Sequence, residues 1–284
     1  MRKNIVVLYS GGLDSYILHH MAKVREPDAN ITCIFWDHEH TAGTAEKHAL
    51  PDFVETRHCE WMSKVDGYFS KEGDPSGPIY IPGRNLVFAV LTACQYMPDE
   101  IWLGALLEED HPGGTDKNGE FLKKTSDLLT YTLGPFVDKV TVRTPLVENK
   151  LTKLDAVKWA LDNGCTKEEL MSTMSCYQQE DPYATVACGN CKQCLRRFAI
   201  FGSLGFEEHY KQNPMLGKAN QQWVRDLIGE LNKCDWSYPP LLNDLYWPYI
   251  VEYIDKNPLL FVNSDWSEYV KDNIEKNFIL ENLL

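Results

Sequence analysis

Residues 5–9 form a short, β-branched apolar run that passes directly into Ser10-Gly11-Gly12-Leu13-Asp14-Ser15, and residues 13–24 then repeat apolar positions at helical spacing. This strand–glycine–helix junction constrains the fold more than any other stretch of the chain. It demands a buried strand feeding a tight turn and a helix, the unit from which parallel α/β sheets are assembled. A helix start in this position gathers backbone N–H groups and the positive end of the helix dipole at one spot, which suits a phosphate. Gly11 and Gly12 allow close backbone approach, and Ser10 and Ser15 add hydroxyls. Asp14 is out of place in an anion nest unless it organises the loop or holds Mg²⁺ for a bound triphosphate. A lone Gly-Gly pair would read as a helix-capping turn; the flanking serines, the aspartate and the strand–helix setting favour a phosphate site. No Gly-Lys-Ser/Thr follows, so the loop is not of the Walker type.

The same alternation continues through the first two-thirds of the chain. Periodicity predicts strands over 31–36, 54–58, 100–106 and 140–146, and helices over 41–50, 85–97, 120–133 and 153–163, the last with Thr152 as N-cap and Gly164 as stop. The fold class this implies is α/β, a Rossmann-like parallel sheet covered on both faces. Its ligands belong beyond the carboxyl ends of the strands, in the loops after Tyr9, Trp36, Leu106 and Leu146. After about Gly205 the character changes. The last 79 residues hold four of the eight tryptophans (223, 236, 247 and 266), thirteen acidic residues against seven Lys and Arg, and prolines that cut the region into short pieces. We expect a catalytic domain over 1–205 and a helical C-terminal extension over 206–284, packed on the core, on a second copy or on a protein partner. A formal net charge of −13 argues against an extended nucleic-acid surface. No apolar run is long enough to span a bilayer, and the basic tip with its short apolar stretch runs into the glycine loop rather than a cleavage site, so the expected location is cytoplasmic.

Nine cysteines, four of them within nineteen residues, make a metal site a better reading than a disulfide framework. In Cys176-x11-Cys188-x2-Cys191-x2-Cys194, two overlapping CxxC steps let three thiolates converge on one ion, with Cys176 reaching back as the fourth. Four thiolates suit a closed, tetrahedral, structural Zn²⁺. The rival is a redox pair at Cys188-Gly189-Asn190-Cys191, which the third and fourth cysteines disfavour.

The loop SGGLDS resembles the pyrophosphatase-loop motif of the adenine-nucleotide α-hydrolase superfamily. That group includes GMP, argininosuccinate and asparagine synthetases, tRNA thiolases and 7-cyano-7-deazaguanine synthase, and its shared chemistry is attack of a substrate oxygen on the α-phosphate of ATP. Thr173-Met174-Ser175-Cys176-Tyr177 with Cys188–Arg197 is similar to the zinc segment (173–197) of the 7-cyano-7-deazaguanine synthase (QueC) family. Pro82-Gly83-Arg84-Asn85-Leu86 matches that family's PGRNL block, Thr144-Pro145-Leu146 with Lys153 resembles its TPL…K element, and His40 corresponds to a family histidine. The resemblance runs in order from about residue 3 to 206.

The resemblance implies a ligase that adenylates the carboxylate of 7-carboxy-7-deazaguanine and converts it with ammonia to the nitrile, forming AMP and pyrophosphate, with ATP, Mg²⁺ and Zn²⁺ as cofactors. Ser10 to Ser15 would cradle the phosphates. Asp14, Arg84 and Lys153 would serve the phosphoryl chemistry, and His40, Asn85, Asp110 and Asp116 would meet the deazaguanine, Asp116 accepting from its guanine-like edge. The family segment D-x-x-G-Y-P-D-C-R-x-x-F is altered here. Asp110, Asp116, Glu120 and Phe121 keep their places, but Gly114, Thr115, Lys117 and Asn118 replace Tyr, Pro, Cys and Arg. That leaves three rivals: a relative joining the activated deazaguanine to another amine, such as one on a protein; a tRNA-modifying enzyme, which the acidic balance disfavours; and a non-enzymatic nucleotide-binding module.

Overall fold

The computed structural model describes residues 2–37, 47–59, 83–110, 116–176, 186–222, 225, 247–261, 268 and 272. By contact the chain divides into two compact units, Met1–Ser175 with Gln179–Ala184, and Cys176–Gln178 with Thr185–Leu284. The division falls ahead of the cysteine segment, which therefore packs with the residues C-terminal to it.

The first unit is built on five parallel strands, β1 (Asn4–Leu8), β2 (Asn30–Asp37), β3 (Val54–His58), β4 (Glu100–Trp102) and β5 (Thr141–Arg143), in the order β3-β2-β1-β4-β5. Each neighbouring pair runs parallel, with Val6 opposite Thr32 on one side and Ile101 on the other. The helices are α1 (Leu13–Arg25), α2 (Arg84–Tyr96), α3 (Gly119–Leu133), the short α4 (Pro145–Glu148), α5 (Lys153–Asp162) and α6 (Lys167–Met171). Val6, Ile34, Trp36 and Cys59 pack under Val87, Phe88 and Leu91 of α2. Ile101, Leu103 and Val142 close a neighbouring cluster with Ala89 and Ala93 of α2 and Leu122, Leu129 and Leu133 of α3. The alternate residues Ile5 and Val7 are buried as well, and α1 packs along β1 and β2 and against α5 and α6. Period-two alternation puts successive side chains on opposite faces, so a strand buried on both must be apolar throughout, as 5–8 is.

Strand order reverses between β1 and β4. The turn after β1 and the turn after β4 thus meet at the switch point of the sheet, where α/β folds bind ligands. A Cβ on Gly104 would sit 3.6 Å from the Ser15 nitrogen and 3.8 Å from the Asp14 Cβ, which shows how closely the two turns approach.

Two predicted strands are shorter in the structure than their apolar runs. The 100–106 run is a strand only to Trp102: the Leu103 N–H still reaches the Arg143 carbonyl, and then Gly104 turns the chain. The 140–146 run gives the three-residue β5 and then α4, because Pro145 at the first helical position carries a preset helical φ and no ladder donor. Of the predicted helix 41–50, residues 47–48 are helical and 41–46 lie outside the described residues.

The second unit contains α7 (Lys192–Ser203) and, in the extension, α8 (Trp247–Lys256). Tyr249 and Tyr253 of α8 pack edge-on to Phe198 of α7, and Gly202 makes the approach feasible: a Cβ there would meet the Tyr249 ring at 2.1 Å. Asn213 donates to the Tyr253 hydroxyl at 2.8 Å. Of the described part of the extension, residues 218–222 and α8 are helical while 206–217 are not, and α8 is joined to the cysteine helix through tyrosines. Trp223, Trp236 and Trp266, expected as its anchors, lie outside the described residues. Among the described residues no helix is long and apolar enough to cross a membrane.

Candidate phosphate loop and metal centre

Gly11 has φ +78°, the left-handed region that glycine enters without penalty, and Gly12 then stands extended as the N-cap of α1. No side chain caps this helix. Ser10 and Ser15 instead tie the loop to itself. Ser15 Oγ donates to the Gly12 carbonyl at 2.9 Å and accepts from the Ser10 N–H at 3.2 Å, while Ser10 Oγ accepts from Gly12 N–H at 3.4 Å. The loop is thereby tied to itself, and the thirteen-residue helix that follows carries Asp14 in its first turn but no side-chain cap. From a distance, Met174 N–H donates to the Gly11 carbonyl at 3.1 Å, fixing the second residue of the loop. Sequence reading did not assign Met174 a part; its position within the Thr173–Cys176 block was the available signal.

Asp14 and Lys153, 139 residues apart in sequence, form an ion pair of 3.1 Å, with Lys153 only 5% exposed. Lys153 is the first residue of α5, whose start is fixed by a capping box in which Thr152 Oγ1 accepts from Asp155 N–H and the Asp155 carboxylate accepts from Thr152 N–H. The other oxygen of Asp14, Oδ1, is buried and has no hydrogen-bond partner among the described residues, a costly arrangement for a carboxylate. An uncapped helix start, a glycine turn and an orphaned carboxylate oxygen beside a buried ammonium fit a triphosphate with its cation: the N–H groups and Lys153 would hold phosphate oxygens, and Asp14 Oδ1 would face the metal.

The remaining predicted residues fall into a second group. Arg84 opens α2 after Gly83, whose φ of +71° makes the left-handed N-cap, and among the described residues no hydrogen bond or ion pair holds its guanidinium. Asn85 donates to the Asp116 backbone carbonyl at 3.2 Å, so the PGRNL block and the altered segment come together. The Asp110 carboxylate accepts from the Gly119 N–H at 3.0 Å, and Asn118 Oδ1 accepts from Phe121 N–H at 2.9 Å; both serve the start of α3. Lys117 pairs with Glu109 at 2.5 Å. An open cavity of about 370 Å³ lies beside them, lined by Leu86, Phe121, Thr125 and Leu128 with Asn118, Glu120 and Lys124 at its polar edge. His40 and residues 111–115 lie outside the described residues.

In the second unit, Cys176, Cys188, Cys191 and Cys194 bring their sulfurs within 4.8 Å of one another, a group that could hold a metal ion. Cys191 to Cys194 is 3.4 Å and Cys188 to Cys194 is 3.8 Å. Four sulfurs at about 2.3 Å from one central ion in a tetrahedron are about 3.8 Å apart, so the spacing fits a single tetrahedral ion. Cys191 is the N-cap of α7 and that helix too has no side-chain cap, which turns its dipole toward the thiols. Without the ion the sulfurs share protons. Hydrogen bonding from Cys176 brings Cys188 down to about 7, while Cys176 and Cys194 are pushed up by the sulfurs around them. A divalent ion replaces those protons and needs all four as thiolates.

Comparison with known proteins identifies the family. The family model for the queuosine biosynthesis protein QueC matches residues 57–205. A 7-cyano-7-deazaguanine synthase of Campylobacter jejuni is 27% identical over 234 residues, covering 74% of this chain and 99% of its own length. Those of Campylobacter curvus and Nitratiruptor sp. are each 29% identical, covering 74% and 72% of this chain and 97% and 96% of their own. The U34-tRNA thiolase NcsA from Methanococcus maripaludis, solved with its [4Fe-4S] cluster, aligns over 84% of this chain and 69% of its own at 11% identity and a TM-score of 0.34, too loose a likeness to bear on fold or chemistry. With more than half of its length matched by one family model, and with that family's loop, PGRNL block and cysteine segment all in place, the chain belongs to the QueC family.

Proposed function

We propose that the chain is an AMP-forming carbon–nitrogen ligase that activates the carboxylate of 7-carboxy-7-deazaguanine and converts it with ammonia to the nitrile. The observation that carries the nucleotide part is the bare start of α1 with the unpaired Oδ1 of Asp14 across from Lys153. A carboxylate is a poor electrophile because oxide would have to leave. Attack of its oxygen on the α-phosphate of ATP expels pyrophosphate and makes AMP the leaving group, which ammonia displaces to give the amide. A second adenylation, on the amide oxygen, followed by loss of AMP leaves the nitrile. An ionised carboxylate needs no general base for the first step. The protein's share is alignment and charge stabilisation. The N–H groups at the start of α1 and the Ser10 and Ser15 hydroxyls bind the leaving pyrophosphate, Lys153 and Arg84 neutralise charge on it, and Mg²⁺, when bound, screens charge between phosphate oxygens. Zn²⁺ at the four cysteines is structural, since a closed set of four ligands leaves no position for substrate. Asp116, with His40, Asn85 and Asp110, belongs to the deazaguanine pocket, and the reaction is placed in the cytoplasm with a small-molecule substrate.

A second reading, in which the activated deazaguanine is joined to an amine other than ammonia, is favoured by one observation. Lys117, standing where the family has Cys, is engaged in an ion pair with Glu109, and Asn118, where it has Arg, caps α3 at the edge of the cavity. Incubation with ATP, Mg²⁺, ammonium and 7-carboxy-7-deazaguanine, followed by mass spectrometry and nucleotide chromatography, separates the readings. Nitrile with AMP and pyrophosphate supports the first. AMP formed only when a protein or amine acceptor is supplied supports the second. ADP and orthophosphate as the main nucleotide products defeat both.

A further inference from the structure

The turn between Cys188 and Cys191 is held from outside by a stretch that lies past the family match. Gly189 has φ +75°, and a Cβ there would fall 1.9 Å from the Gln212 carbonyl oxygen. Gly217 lies against the next residue, where a Cβ would come 2.7 Å from Asn190 Oδ1 and 3.0 Å from the Gly189 oxygen. Asn190 Oδ1 accepts from Ala219 N–H at 3.4 Å, and Lys211 N–H donates to the Ala187 carbonyl at 2.9 Å. Asn220 is the centre of this brace. It is 1% exposed, and its amide nitrogen donates to the Gly189 carbonyl at 3.2 Å and to the Pro214 carbonyl at 2.9 Å.

The bond to Gly189 has a consequence at the sulfurs. The carbonyl of Gly189 and the N–H of Asn190 belong to one planar peptide group, so fixing one fixes the other. That N–H donates to Cys188 Sγ at 3.2 Å, and Cys188 N–H in turn donates to Cys176 Sγ at 3.4 Å. We infer that Asn220 is a positioning residue of the metal centre: by pinning the 189–190 peptide it keeps an N–H aimed at the Cys188 sulfur and slows loss of the ion. This rests on the cluster holding a metal. Partners of metal ligands of this kind typically contribute about 10–100-fold to metal affinity.

The test uses the full chain as purified. Metal content of the wild type is measured first, and absence of metal would end both the metal reading and this inference. Release to a colorimetric chelator is then followed for wild type, Asn220→Ala, Gly217→Ala and Asn213→Ala, each checked for native circular dichroism. Asn220→Ala is expected to release metal at least about 10-fold faster. It should also lose hydrogen-exchange protection at the Asn190 amide and shift the sulfur-to-metal charge-transfer band of the Co²⁺-substituted protein. Gly217→Ala keeps Asn220 but presses on Asn190, and provides the same reading if Asn220→Ala does not fold. Asn213→Ala breaks the bond to Tyr253 in the same stretch and should leave release unchanged. Wild-type release from a folded Asn220→Ala or, where that variant does not fold, from Gly217→Ala overturns the inference while leaving the metal reading intact. So does equal acceleration by Asn213→Ala, which would mark a general loosening of the stretch.

Discussion

Helices α1 and α7 both begin without a side-chain cap and both follow a glycine in the left-handed region, Gly11 at φ +78° and Gly189 at φ +75°. By contrast, α5 and α6 open with complete capping boxes, Thr152 with Asp155 and Thr166 with Glu169. Helices α5 and α6 satisfy their first N–H groups from their own sequence, whereas α1 and α7, like α2 and α4, do not, and at α1 and α7 the bare start faces a candidate ligand. They differ in what holds the turn. The phosphate loop is tied by Ser10 and Ser15 within six residues, with one distant bond from Met174. The cysteine turn is tied by residues 211–220, and its glycine is hemmed in by backbone.

The largest expected effect tests that difference directly. Gly189→Ala combines a left-handed alanine with a Cβ placed 1.9 Å from a carbonyl oxygen that belongs to the main chain. It should cost about 4 kcal/mol or more and abolish metal retention. Gly11→Ala carries the penalty of a left-handed alanine, about 1–2 kcal/mol. Its main effect should be on nucleotide binding. Urea melts and elemental analysis of the two variants decide the matter; equal stability losses would show that the two turns are held alike.

Next in size is Lys153→Met, which keeps the aliphatic stem and leaves the Asp14 carboxylate with neither oxygen paired. Because Asp14 is partly exposed, the loss should be about 2–3 kcal/mol, below that of a fully buried pair, with adenylation lost as well. Adding Asp14→Asn should recover much of the stability and none of the activity. If the double variant is no more stable than the single one, the pair is not what Lys153 contributes. Thr152→Ala, which removes the cap of α5, should cost about 1–2 kcal/mol by melting and leave metal content unchanged.

These contrasts also mark what could be read from the chain alone. The glycine loop between β1 and α1 was legible because its determinants are adjacent: two glycines, two serines and an apolar run on either side. The cluster of four cysteines was legible because two overlapping CxxC steps bring three of them to one turn. Strands β1 and β2 stood out as continuous apolar runs, and the edge strand β3, with its exposed Glu55 and His58, gave only a faint one. Periodicity could not see where the 140–146 run stops pairing, which Pro145 decides, nor that Asp110 and Asn118 serve α3, since a cap is defined by where the helix begins. Asn220 carried no signal at all: an asparagine well past the last cysteine ligand acquires its part only when the chain has folded.

Acid should separate the two regions by mechanism. At the cysteines, falling pH would protonate the thiolates proposed to hold the metal and release it. In α1 the sensitive group is His19, 7% exposed, its ring tilted by 32° against Phe53 with centroids 4.5 Å apart and edge-on to Tyr9. Burial, with smaller contributions from Lys23 and His20, lowers it from 6.5 to about 4. The sign comes from proton counting. Between those two values the unfolded chain holds a proton on His19 that the folded chain does not, so stability rises with pH across that window and is lost as pH falls from about 6.5 toward about 4. The full shift would amount to about 2 kcal/mol between pH 7 and pH 5, and solvent screening of a group that is not wholly enclosed brings the expected effect to about 1 kcal/mol. His19→Phe keeps an aromatic ring against Phe53 and cannot titrate. The measurement is the difference in unfolding free energy between wild type and His19→Phe at pH 7 and again at pH 5, in which the contribution of the cysteines cancels. The wild type should fall behind the variant by about 1 kcal/mol on acidification. A difference that does not change with pH would show that His19 is protonated alike in both states and contributes nothing to the acid response of the chain.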